Sequence, residues 1–145
     1  ALNKGDETYP NIDYTAIYSY TDGVVLPSTE GAPTGISSIL KGGKNVTNIA
    51  VQQLCPDVAT DHLALGSYDP VTYALVRDAL DNVGAAQLVR LQAHQAQLCS
   101  QRYMTGITDK NFWDGYSGME SALRAAFDNA AYAVASEPPL TCYVR

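Results

Sequence analysis

The sequence lacks any apolar run approaching the roughly 18 residues needed to cross a bilayer. It also lacks a basic cluster. Its nine Lys and Arg are scattered singly from Lys4 to Arg145 against fifteen acidic residues, for a formal charge of -6. A phosphate backbone needs a clustered basic face, so no nucleic-acid partner is expected. Residues 1–7 show no basic-then-apolar pattern of a secretion signal. No Cys-x-x-Cys pair occurs, which removes zinc-knuckle and thioredoxin-type readings. His62 and His94 have no Cys or carboxylate partners at zinc-like offsets, so neither a metal nor another cofactor is expected. Repeats and low-complexity stretches are absent too.

What remains is a 145-residue chain, 46% hydrophobic and 17% charged, with the size and composition of one globular domain. Its cysteines number three. Two of Cys55, Cys99 and Cys142 could pair, leaving one free or bonded to another chain. Asn45-Val46-Thr47 is a glycosylation sequon in a loop rich in Gly and Lys. Sequon and cysteines together point to a secreted, extracellular protein.

The first third is rich in Gly, Pro, Ser and Thr and carries two short β-type runs, residues 15–20 and 48–54. Residues 27–43 between them are dense in Gly and Pro and read as a long excursion, of the kind that is usually functional. The rest is helical. Asp69-Pro70 caps and opens one helix running to about Asn82. A second spans residues 85–99, with Leu88, Leu91 and Leu98 on one side. Ser117-Gly118-Met119-Glu120 reads as a capping box for a third, whose stripe runs through Met119, Leu123, Phe127, Ala130 and Val134 to a stop at Glu137-Pro138-Pro139. Two strands buried in a parallel sheet and three helices give an α/β class. They also make a poor complete domain, because a parallel sheet needs more strands and two covered faces.

Two residues at strand ends could carry chemistry. Asp22 follows the first strand in Tyr20-Thr21-Asp22-Gly23, and His62 follows the second in Thr60-Asp61-His62-Leu63. Ligand and catalytic groups of open parallel sheets gather at the carboxyl ends of strands. Each residue alone has a plainer reading, an Asx-turn acid and a surface loop histidine. Their order is more specific, since α/β-hydrolase triads run Ser, then acid, then His, with the serine on a Gly-x-Ser-x-Gly turn. No such turn exists here. Gly115-Tyr116-Ser117-Gly118-Met119 and Gly35-Ile36-Ser37-Ser38-Ile39 both lack the final glycine, and Ser117 reads better as a helix cap. The nucleophile is not expected on this chain.

The stretch from Ala16 to Pro27, with its Tyr-Ser-Tyr-Thr-Asp core, resembles the acid-bearing strand and loop of the fungal lipase B type, the Candida antarctica lipase B-like α/β-hydrolases. Gly43-Lys44-Asn45-Val46, then Cys55 and Asp61-His62, are similar to that family's next strand and histidine loop. The resemblance covers most of this chain but only the C-terminal half of such an enzyme. It implies that residues 1–145 are the C-terminal part of one α/β-hydrolase domain, incomplete without an N-terminal partner. It further implies a carboxylic ester hydrolase, triacylglycerol lipase-like, working through a Ser-His-Asp triad. Asp22 would be the acid and His62 the base, while a partner chain supplies the serine and oxyanion hole.

Val24, Val25, Leu63, Phe127, Ala130 and Val134 would line the substrate site, and a lipid interface is an implied contact. Cys55 and Cys99 would form the family disulfide. Cys142 would then be unpaired or bonded to another chain. Gly23 stands where the family usually has a carboxylate, and Phe127 and Tyr132 are bulkier than its small aliphatics, which implies a narrower channel. The rival reading is a secreted, non-catalytic binding module, which would tolerate loss of Asp22 or His62.

Overall fold

The structure, a computed structural model, describes residues 7–29, 31–32 and 35–129. It divides into two units, one within residues 5–106 and one beginning at Ile107.

In the first unit β1 (Tyr14–Tyr18) pairs in parallel with β2 (Val46–Ala50), in register from Tyr14 opposite Val46 to Tyr18 opposite Ala50. Parallel pairing follows from two short apolar runs joined by a long connection, which a tight hairpin could not provide. Both strands are shorter than their apolar runs suggest. β1 stops at Tyr18 because the chain turns at once, with the Asp22 N–H donating to the Ser19 carbonyl at 3.3 Å. Residues 51–54, expected to extend the second strand, instead form a helical turn, α1 (Val51–Leu54). The Gln53 side chain accepts from the Ala50 N–H at 2.9 Å, and Val51 and Leu54 go into the core. A short apolar run is compatible with strand or helix, and burial decided here.

The described residues of the 27–43 excursion contain neither helix nor strand, as expected. Asn48, in mid-β2, ties the excursion down. Its side-chain amide accepts from the Leu40 N–H at 2.8 Å and donates to the Leu40 carbonyl at 3.1 Å, satisfying backbone as a strand would.

Helix α2 (His62–Ser67) was not foreseen; α3 (Pro70–Asp81) matches its caps closely. Asp69 accepts from the Thr72 N–H at 2.6 Å, and Pro70 occupies the first turn, where no N–H is needed. Val71 and Leu75, one turn apart, join Ile49, Val51, Leu54, Cys55 and Ala86 in the buried core. Full burial of each large aliphatic side chain contributes about 1.5–3 kcal/mol. Cys55 and Cys99 are disulfide-bonded, with their Cα atoms 5.4 Å apart.

The expected helix over residues 85–99 is broken into α4 (Leu88–Leu91), a 3₁₀ turn (Gln92–His94) and α5 (Gln95–Ser100). Two anchors hold its halves separately. Arg90 grips buried Asp78 of α3 at 2.7 and 2.6 Å, while the Gln95 side chain donates to the Leu54 carbonyl at 2.6 Å beside the disulfide.

In the second unit α6 (Asp109–Asp128) starts well before Ser117. Its capping box is Thr108 and Asn111: the Thr108 N–H donates to the Asn111 side chain at 2.6 Å, and Thr108 accepts from the Asn111 N–H at 3.4 Å. Ser117 is no cap; it lies inside the helix and donates to the Trp113 carbonyl at 2.9 Å. Two glycines, Gly115 and Gly118, obscured that earlier start, since each weakens a helix by about 1 kcal/mol against Ala without ending it. The last part of the expected helix, residues 130–137, lies outside the described residues.

Candidate active site

Asp22 sits in the turn that follows β1. Its Oδ1 accepts from the backbone N–H groups of Val24 at 2.8 Å and Val25 at 3.0 Å, so the Asx-turn reading holds. The turn does a second thing: it aims Oδ2 outward, where it meets Nδ1 of His62 at 2.9 Å. His62 does not sit in a loop as expected. It is the first residue of α2, placed there by Asp61, whose side chain accepts from the Ala64 N–H at 2.8 Å as the N-cap. A cap that fixes where a helix starts also fixes where its first side chain stands.

Asp22 is only 5% exposed, whereas the His62 side chain is 42% exposed. Burial pushes the Asp22 carboxyl towards the neutral form. The hydrogen bond with His62, the N–H groups of Val25 and Val24, and attraction to His62 outweigh it, so the pKa is held below its ordinary value. An ionised carboxylate only accepts, so Nδ1 carries the proton of the 2.9 Å contact. Nε2 of a neutral imidazole is then left as an acceptor, able to take a proton from a hydroxyl.

Beside the pair is a hollow of about 330 Å³, with Ile17, Tyr18, Val25, Ser38, Leu65 and Thr72 among its walls. Of the lining residues expected, Val25 faces it. Val24, 60% exposed, and half-buried Leu63 do not. Phe127 belongs to α6, but its side chain, like Ala130, Val134 and Cys142, lies outside the described residues. Ile17 and Tyr18 could have been read as wall residues from their place just before the acid. Ser38 comes from the long excursion, where no local pattern marks it.

The sequon residue Asn45 already uses its side-chain N–H groups, donating to the carbonyls of Tyr9 at 2.8 Å and Ile12 at 2.6 Å. A glycan on that nitrogen would leave one N–H for the two acceptors. Among the described residues no group of three His, Cys, Asp or Glu is placed to hold a metal ion. None of the described helices is long and apolar enough to cross a membrane.

No protein-family model matches this chain, and no curated protein does. Among solved structures, the crystal structure of Aspergillus fumigatus lipase B superposes on 99% of it, with a TM-score of 0.74 and 25% sequence identity. The fold is lipase-like. The match takes in 34% of that lipase chain, so this chain spans about a third of its length. A parallel strand pair flanked by helices is accordingly part of an α/β-hydrolase architecture.

Proposed function

We propose that this chain is part of a secreted carboxylic ester hydrolase, triacylglycerol lipase-like. In this reading Asp22 and His62 are two members of a Ser-His-Asp triad. The observation that carries it is the 2.9 Å contact between Asp22 Oδ2 and His62 Nδ1, made by residues 40 apart in the chain. His62 Nε2 would take the proton of a serine as that oxygen attacks the ester carbonyl, and would return a proton to the departing alcohol. Water then repeats the sequence on the acyl-enzyme. Asp22 would hold the imidazole in the correct tautomer and stabilise its charged form.

The serine and oxyanion hole would come from an N-terminal partner, as a separate chain or as another part of the same polypeptide. That the chain spans a third of the lipase it superposes on, and that its described sheet has two strands, support this division. Cys142 would be unpaired or bonded to that partner. The substrate would be an acylglycerol or simpler ester met at a lipid interface. Val25, which faces the hollow beside the pair, would be among its lining residues. The Cys55–Cys99 disulfide suits an oxidising compartment and supports secretion, and Asn45 would be a glycan acceptor.

Steady-state hydrolysis of p-nitrophenyl esters by the protein as isolated tests this reading. Asp22→Asn should lower kcat by about 10⁴-fold with KM little changed, since only the tautomer is disturbed. Full turnover by the Asp22→Asn or His62→Ala variant would favour a non-catalytic role for the pair.

A further inference from the structure

Asp22 and His62 stand on separate segments, so their contact depends on what ties those segments together. The covalent chain between them includes the long excursion and cannot set a distance to a fraction of an ångström. Gln52, on α1, reaches both sides. Its Oε1 accepts from the Tyr20 N–H at 3.1 Å, and its Nε2 donates to the Ser19 hydroxyl at 2.8 Å and to the Val58 carbonyl at 3.2 Å. The amide can sit only one way round, because a backbone N–H must donate and a carbonyl must accept.

A second tie lies alongside. The Thr21 hydroxyl donates to the Thr60 carbonyl at 2.9 Å. That uses its one proton, so in the 3.0 Å contact between the two hydroxyls Ser19 is the donor. The Thr60 hydroxyl in turn donates to Asp69, the cap of α3, at 2.8 Å. Ser19, Thr60 and Asp69 are all buried, so a bond lost here leaves a desolvated polar group behind. The tied residues 19–21 end directly before Asp22, and the tied residues 58–60 end two before His62. Neither Gln52, Thr21 nor Thr60 is among the walls of the hollow.

We propose that Gln52, together with Thr21, is a positioning residue that sets the Asp22–His62 distance and so fixes the His62 tautomer. The contact it serves is structural; its value to ester hydrolysis rests on the triad reading. Misplacement of a catalytic group by about 1 Å costs on the order of 10²-fold in rate, which is why such a brace matters.

The test reads the tautomer directly, by long-range ¹H–¹⁵N correlation from the carbon-bound ring protons of His62 in the protein as isolated, with exposed His94 as internal reference. The wild type should hold the proton on Nδ1, and Asp22→Asn should abolish that preference. Gln52→Glu keeps the size of the side chain but sets a carboxylate oxygen against the Val58 carbonyl. It should shift the tautomer ratio by about tenfold with the fold retained by circular dichroism. A folded Gln52→Glu protein with the wild-type ratio overturns the proposal. If that variant does not fold, the Thr21 pair decides: Thr21→Val should shift the ratio and Thr21→Ser should restore it, whereas two unchanged ratios overturn it. A wild type without the Nδ1 preference overturns the pairing and the brace together. The expected shifts in a protein that hydrolyses no ester would leave the brace standing and remove the triad reading alone.

Discussion

At Asp22 a buried carboxylate collects two backbone N–H groups and an imidazole, and this is what makes it acidic. The direction of its shift has a thermodynamic consequence. A carboxyl whose pKa is lower folded than unfolded stabilises the fold above its ordinary value of about 3.9. That contribution is lost as pH falls through the lower, folded value. In urea unfolding at a series of pH values, the margin of the wild type over Asp22→Asn should therefore be full near pH 5 and should shrink below about pH 4. A margin independent of pH would mean that the carboxylate is not ionised against His62 in the way the geometry requires. Sequence alone could offer Asp22 and His62 as strand-end residues in the right order, and the family resemblance joined them. The role of Gln52 was not legible. A glutamine has no local signature, and its meaning here depends on three backbone and side-chain partners brought to it by the tertiary fold.

Among the elements, legibility followed how local the determining forces are. Helix α3 begins where Asp69-Pro70 says it should because capping is a contact over three residues. The 85–99 segment has a continuous helical stripe, yet it breaks, since Arg90 and Gln95 answer to different parts of the core. The Arg90–Asp78 clamp is the more consequential anchor. Asp78 also accepts from the Gln87 N–H at 2.8 Å, and Arg90 donates to the Ala85 carbonyl at 2.9 Å. The Arg90 hydrogen bonds, opposed by burial and aided by the Gln87 N–H and the Arg90 charge, hold the Asp78 carboxyl below its ordinary pKa. Removing one partner of such a pair strands the other, so Asp78→Ala should destabilise the protein by about 3 kcal/mol in urea unfolding. A loss below about 0.5 kcal/mol would show that the segment is held without the clamp. The disulfide closes a span of 44 residues between α1 and α5. In the chain-entropy account its reduction should cost about 3–4 kcal/mol, read as a lowered midpoint with and without reductant.

For the molecule as a whole, the length fits one domain, while two strands in the sequence and the resemblance to the lipase B type imply part of one. The chain matches about a third of a lipase, and its described sheet of two strands is far below the usual strand number of an α/β sheet. Asp22, His62 and a disulfide are here, and the proposed triad would also need a nucleophile. In the proposed function Asp22 and His62 would activate a serine outside these 145 residues. Labelling the protein as isolated from its source with a fluorophosphonate, followed by peptide mass mapping, addresses it directly. One modified serine should be found in a polypeptide segment other than this one, with labelling lost in His62→Ala. A label on a serine of this chain, or labelling that persists without His62, would contradict the account.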